Sequence, residues 1–354
     1  QTGVDPHDIA AVSTTCMREG IVLYDKDGQE IWACANVDAR SDDEVAQLVH
    51  MNPELEKQIY RESGQTYALG ALPRLFWVKN KMPKVYEKTA VCTMFNDWLI
   101  YKMTGVFSSE PSNACTTGIF DLKARDWDDK IAASIGLKTG IFPKISECGT
   151  VVAKVGAKGA AETGLAEGTP VVAGGGDAQL GCVGVGVVDA NQAAIFGGSF
   201  WQYEYNTDEA KTDEHCRVRV NCHSVPGIWQ YEALAFKPGM VMRWYRDAFC
   251  QYEKELSKTT GRDPYDLMNE KAKDIPAGCY GMMCAFSDVM NYISWRHASP
   301  MFINFDFDPD KFNRYTFYRA IMENTAMVTY GHMQLVREST GNIPKEVVFA
   351  SGAS

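Results

Sequence analysis

The 354-residue sequence contains no run of roughly 18 apolar residues, the length a membrane-spanning helix needs, and no secretory signal peptide is visible. It has no Cys-x-x-Cys pair either. Its eleven cysteines are scattered, and the closest spacings, Cys216 with Cys222 and Cys279 with Cys284, lack a second half resembling a zinc site. They read as buried thiols in a reducing cytosol, so a cytoplasmic protein is expected. Walker A and dinucleotide fingerprints are absent. None of the six histidines (His7, His50, His215, His223, His297 and His332) lies in a G-x-S-x-G or H-E-x-x-H context. Positive charge is in deficit: 35 Lys and Arg against 45 Asp and Glu leave a net charge of −10. That balance argues against nucleic acid and anionic membranes as partners. A phosphate ligand is still open, because backbone N–H groups and a bound divalent cation supply local positive potential.

What is present fits a globular α/β protein, at 45% apolar and 23% charged residues. The length exceeds one hydrophobic core, so two domains are expected. Strands are expected over 9–14, 20–25 and 30–35, with Asp27-Gly28 as the hairpin turn between the last two. Helical spacing covers 42–51, 72–79, 88–103, 128–135 and 157–162. Ser41 is placed to cap the first of these, with Glu44 completing a capping box. The glycine-punctuated stretch 146–165 changes character, which sets the boundary between 160 and 170 and gives domains 1–165 and 166–354. The second domain reads as strands over 171–175, 193–197, 201–205, 217–221, 228–232 and 346–350. Its helices fall at 239–256, 263–273, 314–337 and part of 281–290. Strands ending in glycine turns, followed by helices, indicate α/β layers. Gln1 is not an initiator, and the chain stops at Ser354 where a helix would follow a strand. A fragment of a longer protein is expected.

The sharpest chemical signal is Gly174-Gly175-Gly176-Asp177 at the end of an apolar strand. Glycine permits close backbone approach and positive φ, so this carboxylate has little bulk around it. Asp177 reads either as a general base facing an alcohol or as a turn aspartate capping the segment after it. Gly197-Gly198-Ser199 is a second glycine turn at a strand end, and Gly352 sits in a third. Backbone N–H groups at such turns suit phosphates, although glycine turns often only end strands. Arg18-Glu19 places a donor fork beside an acceptor, which suits vicinal hydroxyls or a plain surface pair. Asp38 and Arg40 form another acid and base pair. Asp97 breaks an apolar helical pattern and needs a partner or a ligand.

These residues resemble the FGGY carbohydrate kinases. The likeness runs through Thr15-Cys16-Met17-Arg18-Glu19-Gly20 and on to Arg40. It continues through Pro111-Ser112-Asn113-Ala114, then 174–186, 196–202 and 242–250. The resemblance implies two actin-like, ribonuclease-H-like α/β domains with a central cleft, both truncated here, the first on the substrate side and the second on the nucleotide side. It implies ATP and Mg²⁺ as cofactors and Asp177 as catalytic base, with Asp177 also reaching Mg²⁺ through water. Arg18 and Glu19 then grip substrate hydroxyls, and Asp38 and Arg40 line the same region less directly. Gly197, Gly198 and Ser199 correspond to the second phosphate loop, and Gly352 to the turn that meets the nucleoside. The implied reaction is ATP-dependent phosphorylation of the terminal hydroxyl of a small linear polyhydroxy carbonyl compound, best matched by 4,5-dihydroxypentane-2,3-dione. Xylulose, ribulose or glycerol are the alternative substrates, and a non-catalytic sugar or nucleotide sensor is the alternative role. A homodimer and a regulatory phosphocarrier protein are the macromolecular partners that come with the resemblance. Two departures stand out: Gly198 replaces the threonine common in the second phosphate loop, and the turn around Gly352 has fewer glycines. The family's first phosphate hairpin would precede Gln1, so this polypeptide alone is expected to lack full activity.

Overall fold

The computed structural model describes residues 3–294 and 300–350. In chain order the strands and helices begin with β1 (Val12–Cys16), β2 (Ile21–Tyr24), β3 (Glu30–Cys34), α1 (Asp42–Met51), α2 (Leu55–Ser63), α3 (Ala71–Lys81) and α4 (Pro83–Lys88). Next come β4 (Val91–Met94), α5 (Phe95–Thr104), α6 (Pro111–Ala114), β5 (Phe120–Asp121), β6 (Asp126–Trp127) and α7 (Asp129–Ser134). They are followed by β7 (Val151–Lys154), α8 (Ala157–Thr163), β8 (Pro170–Gly176), α9 (Asp177–Gly184), β9 (Ala193–Gly197), β10 (Trp201–Thr207), β11 (Arg219–Cys222) and β12 (Trp229–Ala235). The last are α10 (Pro238–Phe249), α11 (Gln251–Thr260), α12 (Pro264–Ala272), β13 (Met283–Ala285), β14 (Met301–Ile303), α13 (Arg314–Thr340) and β15 (Val348–Ala350).

The chain packs as two compact units, Gln1–Ala190 with Asn206–Tyr231, and Asn191–Tyr205 with Glu232–Ser354. The boundary expected at 165/166 falls inside the first unit. The physical reason is β8, which runs parallel to β1 with Val12 opposite Val171 and Cys16 opposite Gly176, and so belongs with the chain's start. β7 pairs antiparallel on the other side of β8.

Also in the first unit, β2 lies between β3 and β4 with both pairings antiparallel. All four residues of β2 are buried, which explains its unbroken apolar run Ile-Val-Leu-Tyr. Ile21 and Leu23 pack with Leu48 of α1, Ile59 of α2, and Leu72, Leu75 and Phe76 of α3. In the second unit, β9 pairs antiparallel with β10 and parallel with β15, while β13 and β14 form a short antiparallel pair. Its core joins Val241 and Tyr245 of α10, Met268 of α12, Phe286, and Tyr318 and Ile321 of α13.

Several expected elements differ. The helix expected over 88–103 is β4 followed by α5, because Val91, Cys92 and Thr93 pair with β2. The helix expected over 239–256 breaks at Cys250, whose side chain is buried among Tyr245, Met268 and Phe286. Around 281–290 there is a 3₁₀ turn, Cys279–Gly281, and then β13 instead of a longer helix. Ser41 does flank α1 but makes no side-chain cap; Glu44 is buried and lies 3.8 Å from Lys81 Nζ. The segment after Asp177 is α9, with Asp177 as its first residue.

Candidate active site

The three glycines of β8 serve close approach, and none adopts positive φ. A β-carbon on Gly174 would stand 1.6 Å from the Thr14 carbonyl oxygen of β1. On Gly175 it would meet Ser224 Oγ at 2.5 Å, and on Gly176 the Arg18 Cδ at 2.9 Å. The triad therefore lets β1, Arg18 and a buried serine close around the strand end. Asp177 emerges from it with 55% of its side chain exposed, its carboxylate 3.4 Å from Nε of Arg18, which is only 5% exposed. Asp177 Oδ1 also accepts the Ala178 N–H at 2.9 Å, so one oxygen does satisfy the start of α9.

Glu19 follows Arg18 in the β1–β2 turn with φ of +65°, a strained conformation for a non-glycine residue. Its surroundings hold it there. The buried carboxylate pairs with Arg219 Nη2, and Asn36 Nδ2 donates to it at 3.4 Å. Arg219 Nε donates to Gln65 Oε1 at 2.8 Å, and Gln65 Nε2 donates to Asn221 Oδ1 at 3.0 Å. Beneath them the buried Arg74 guanidinium donates to the carbonyls of Glu19 (3.1 Å), Leu69 (2.9 Å), Asn36 (2.5 Å) and Asp38 (3.3 Å). Burial lowers the Arg74 pKa, and the neighbouring acids oppose that shift.

Asp38 and Arg40 bind each other. Arg40 Nε donates to both Asp38 oxygens at 2.8 Å, and this guanidinium holds the Asp38 carboxyl well below the usual carboxylate range. The Arg40 guanidinium also lies 5.0 Å from the Trp77 ring centre and 5.9 Å from that of Trp32. Asp38 touches the Glu19 cluster through its backbone oxygen, which accepts from Arg74 Nε. In the first unit Asp177 meets Arg18, the adjacent Glu19 turns its carboxylate to Arg219 and Asn36, and Asp38 and Arg40 pair with each other.

In the second unit, Gly197 ends β9, and Gly198 and Ser199 lead into β10. Ser199 Oγ accepts from Arg243 Nη2 of α10 at 3.3 Å. A β-carbon on Gly239, near the start of α10, would come 2.0 Å from the Gly198 oxygen, so the turn rests on that helix. Gly352 lies outside the described residues. Among the described residues, no three His, Cys, Asp or Glu side chains gather to hold a metal ion.

Arg74, Arg219, Gln65 and Asn36 were not anticipated as members of the cluster. A signal for Arg219 does exist: it is a charged residue between Val218 and Val220 in a strand buried at every position. Such a charge requires a partner.

Residues 1–184 match the FGGY family of carbohydrate kinases, N-terminal domain. The chain is 46% identical over 348 residues to the autoinducer-2 kinase of Klebsiella pneumoniae, covering 98% of this chain and 65% of the relative. To the autoinducer-2 kinase of Yersinia pestis bv. Antiqua it is 47% identical over 347 residues, covering 98% and 66%. It therefore spans about two thirds of the length of the curated relatives it matches. Among solved structures, xylulose kinase from Rhodospirillum rubrum superposes with a TM-score of 0.83 at 21% identity, covering 97% of this chain and 67% of that one. Plasmodium falciparum glycerol kinase with ADP gives 0.81 at 18% identity over the same shares. At those identities the structures speak for the shared two-part α/β fold. Sequence and fold agree, and the chain belongs to the FGGY family of carbohydrate kinases.

Proposed function

We propose that the protein transfers the terminal phosphoryl group of ATP to the terminal hydroxyl of autoinducer-2 in its linear form. One observation carries this reading: a half-exposed carboxylate, Asp177, stands at the end of a glycine-lined strand beside the buried Arg18. An alcohol becomes a competent nucleophile as its proton leaves, and a carboxylate within hydrogen-bond reach can accept that proton. Arg18 offers donors to substrate oxygens at the same place, and Glu19, held by Arg219 and Asn36, offers an acceptor. The choice of autoinducer-2 rests on the relatives that carry its name at 46–47% identity.

The Gly197–Ser199 turn is the proposed seat of the nucleotide phosphates. With Gly198 where many relatives have threonine, backbone N–H groups and the Ser199 hydroxyl are the donors left to contact phosphate. A single exposed carboxylate, Asp177, fits a Mg²⁺ ion held mainly by phosphate oxygens and water. Bound there, Mg²⁺ would neutralise charge developing on the transferred phosphoryl group. The test is turnover of the full-length protein with ATP, Mg²⁺ and a panel of autoinducer-2, xylulose, ribulose and glycerol. Asp177→Asn should lower kcat by about 10²–10⁴-fold while ATP still binds. Unchanged turnover refutes the base assignment, and a preference for another member of the panel refutes the substrate.

A further inference from the structure

Glu110 is a buried acid with no role so far. It precedes α6, and its carboxylate accepts five donors. Oε2 takes the Ser112 N–H at 2.7 Å, the Ser112 hydroxyl at 2.6 Å and the Cys148 thiol at 3.1 Å. Oε1 takes the Asn113 N–H at 3.0 Å and Asn96 Nδ2 at 3.2 Å. Five donors exceed what one helix turn needs.

Two residues that Glu110 holds, Ser112 by its hydroxyl and Asn113 by its backbone N–H, reach the two strand ends of the candidate site with their side chains. A serine hydroxyl has one proton and two lone pairs. With the Ser112 proton committed to Glu110, its oxygen accepts the Gly176 N–H at 2.9 Å and the Ser224 hydroxyl at 3.4 Å. Gly176 is the residue before Asp177, and its other side is closed by Arg18. Asn113 Nδ2 donates to Cys16 Sγ at 3.1 Å and to Asn96 Oδ1 at 2.8 Å. Cys16 is the last residue of β1, opposite Gly176 in register and two residues before Arg18. One carboxylate therefore anchors the residues that fix the backbone leading to Arg18 and the backbone leading to Asp177.

We propose that Glu110, acting through Ser112 and Asn113, is the positioning residue of the Arg18–Asp177 pair. It touches no reacting atom. An amide at this place could not do the same, because its NH₂ would face N–H donors. This inference rests on Asp177 being the base of the proposed kinase reaction.

The experiment is a double-mutant cycle on the full-length protein, with kcat measured at saturating ATP and substrate. Ser112→Ala removes the hydroxyl between Glu110 and Gly176 with little change in volume, and Glu110→Gln is the harsher companion. Ser112→Ala is expected to lower kcat about tenfold to a hundredfold, the loss that a displacement of an ångström or less produces, with KM for ATP unchanged. In an Asp177→Asn background the same substitution should leave the residual rate unaltered, because what it positions is already disabled. Equal losses in both backgrounds would show a merely structural role and overturn the proposal, as would unchanged kcat for both Ser112→Ala and Glu110→Gln in the wild-type background. Should Asp177→Asn itself retain full turnover, the kinase reading fails first, and that outcome is separate from the other two.

Discussion

Gly174 and Gly176 are two residues apart in one strand, yet alanine at each should fail for a different reason. At Gly174 the new methyl would stand 1.6 Å from a backbone oxygen of β1, where an ordinary carbon–oxygen contact needs about twice that. Neither partner is a flexible side chain, so β1 and β8 would have to separate by more than an ångström and lose their parallel register. We expect a loss of about 3–5 kcal/mol, above the usual range for overpacking because backbone cannot yield. That corresponds to a fall in Tm on the order of 10 °C. At Gly176 the methyl meets Gln179 Oε1 at 2.5 Å and the Arg18 stem at 2.9 Å, both side-chain atoms that can shift. Gly176→Ala should cost only about 1–2 kcal/mol but move Arg18 away from Asp177 and cut kcat about tenfold or more. Thermal melts paired with initial rates on the full-length protein separate the two. If Gly174→Ala melts within about 2 °C of wild type, or Gly176→Ala turns over at the wild-type rate, the close-approach account of this triad is wrong.

Arg219→Met should destabilise by about 3–5 kcal/mol in urea titrations, because Glu19 is left buried and charged without its cation; adding Glu19→Gln should recover part of the loss, and no recovery would contradict the pairing. Asp97→Ala should cost about 1–3 kcal/mol, since the acid accepts the Met94 N–H at 3.0 Å and the Ser109 hydroxyl; a melt indistinguishable from wild type would show that those donors find other partners. His332 Nε2 accepts the Met290 N–H at 2.9 Å and burial pushes its pKa down to about 4, as burial and the Arg125 charge do for His223. In the unfolded chain a histidine takes its proton near about pH 6.5, so this stabilisation is complete above that pH and is lost as pH falls toward 4. Buried Asp97 and Glu110, with raised pKa values, act in the opposite sense. His332→Gln, which keeps an acceptor but does not titrate, should therefore narrow the stability gap between pH 7 and pH 5; an unchanged gap would sink the assignment.

Much of the site was legible because it depends on local rules. The glycine triad announces close approach, and the carboxylate after it is conspicuous. Arg18 and Glu19 stand out as paired charges at a strand end. Asp97 was marked as a buried acid in need of a partner, and it has two. The helix expected over 88–103 misled because Val91-Cys92-Thr93 fits either period, and only pairing with β2 decides for a strand. The break at Cys250 carries no glycine or proline, so its cause lies entirely in tertiary packing. Arg74 and Arg219 were hidden for a similar reason. Their partners are backbone carbonyls and a glutamate as much as 200 residues away in sequence, which no local spacing reveals.

All eleven cysteines carry free thiols, eight in the first unit and three (Cys250, Cys279 and Cys284) in the second. Burial raises many of their pKa values, to about 11 at Cys250 and about 12 at Cys279 and Cys284. Thiolate is the reactive form, so an alkylating reagent should label these positions slowly until the surrounding chain opens. The molecule thus carries its own opening gauges in each half. Mass spectrometry of reagent uptake along a denaturant series would give one local-unfolding curve per unit, without any engineered probe.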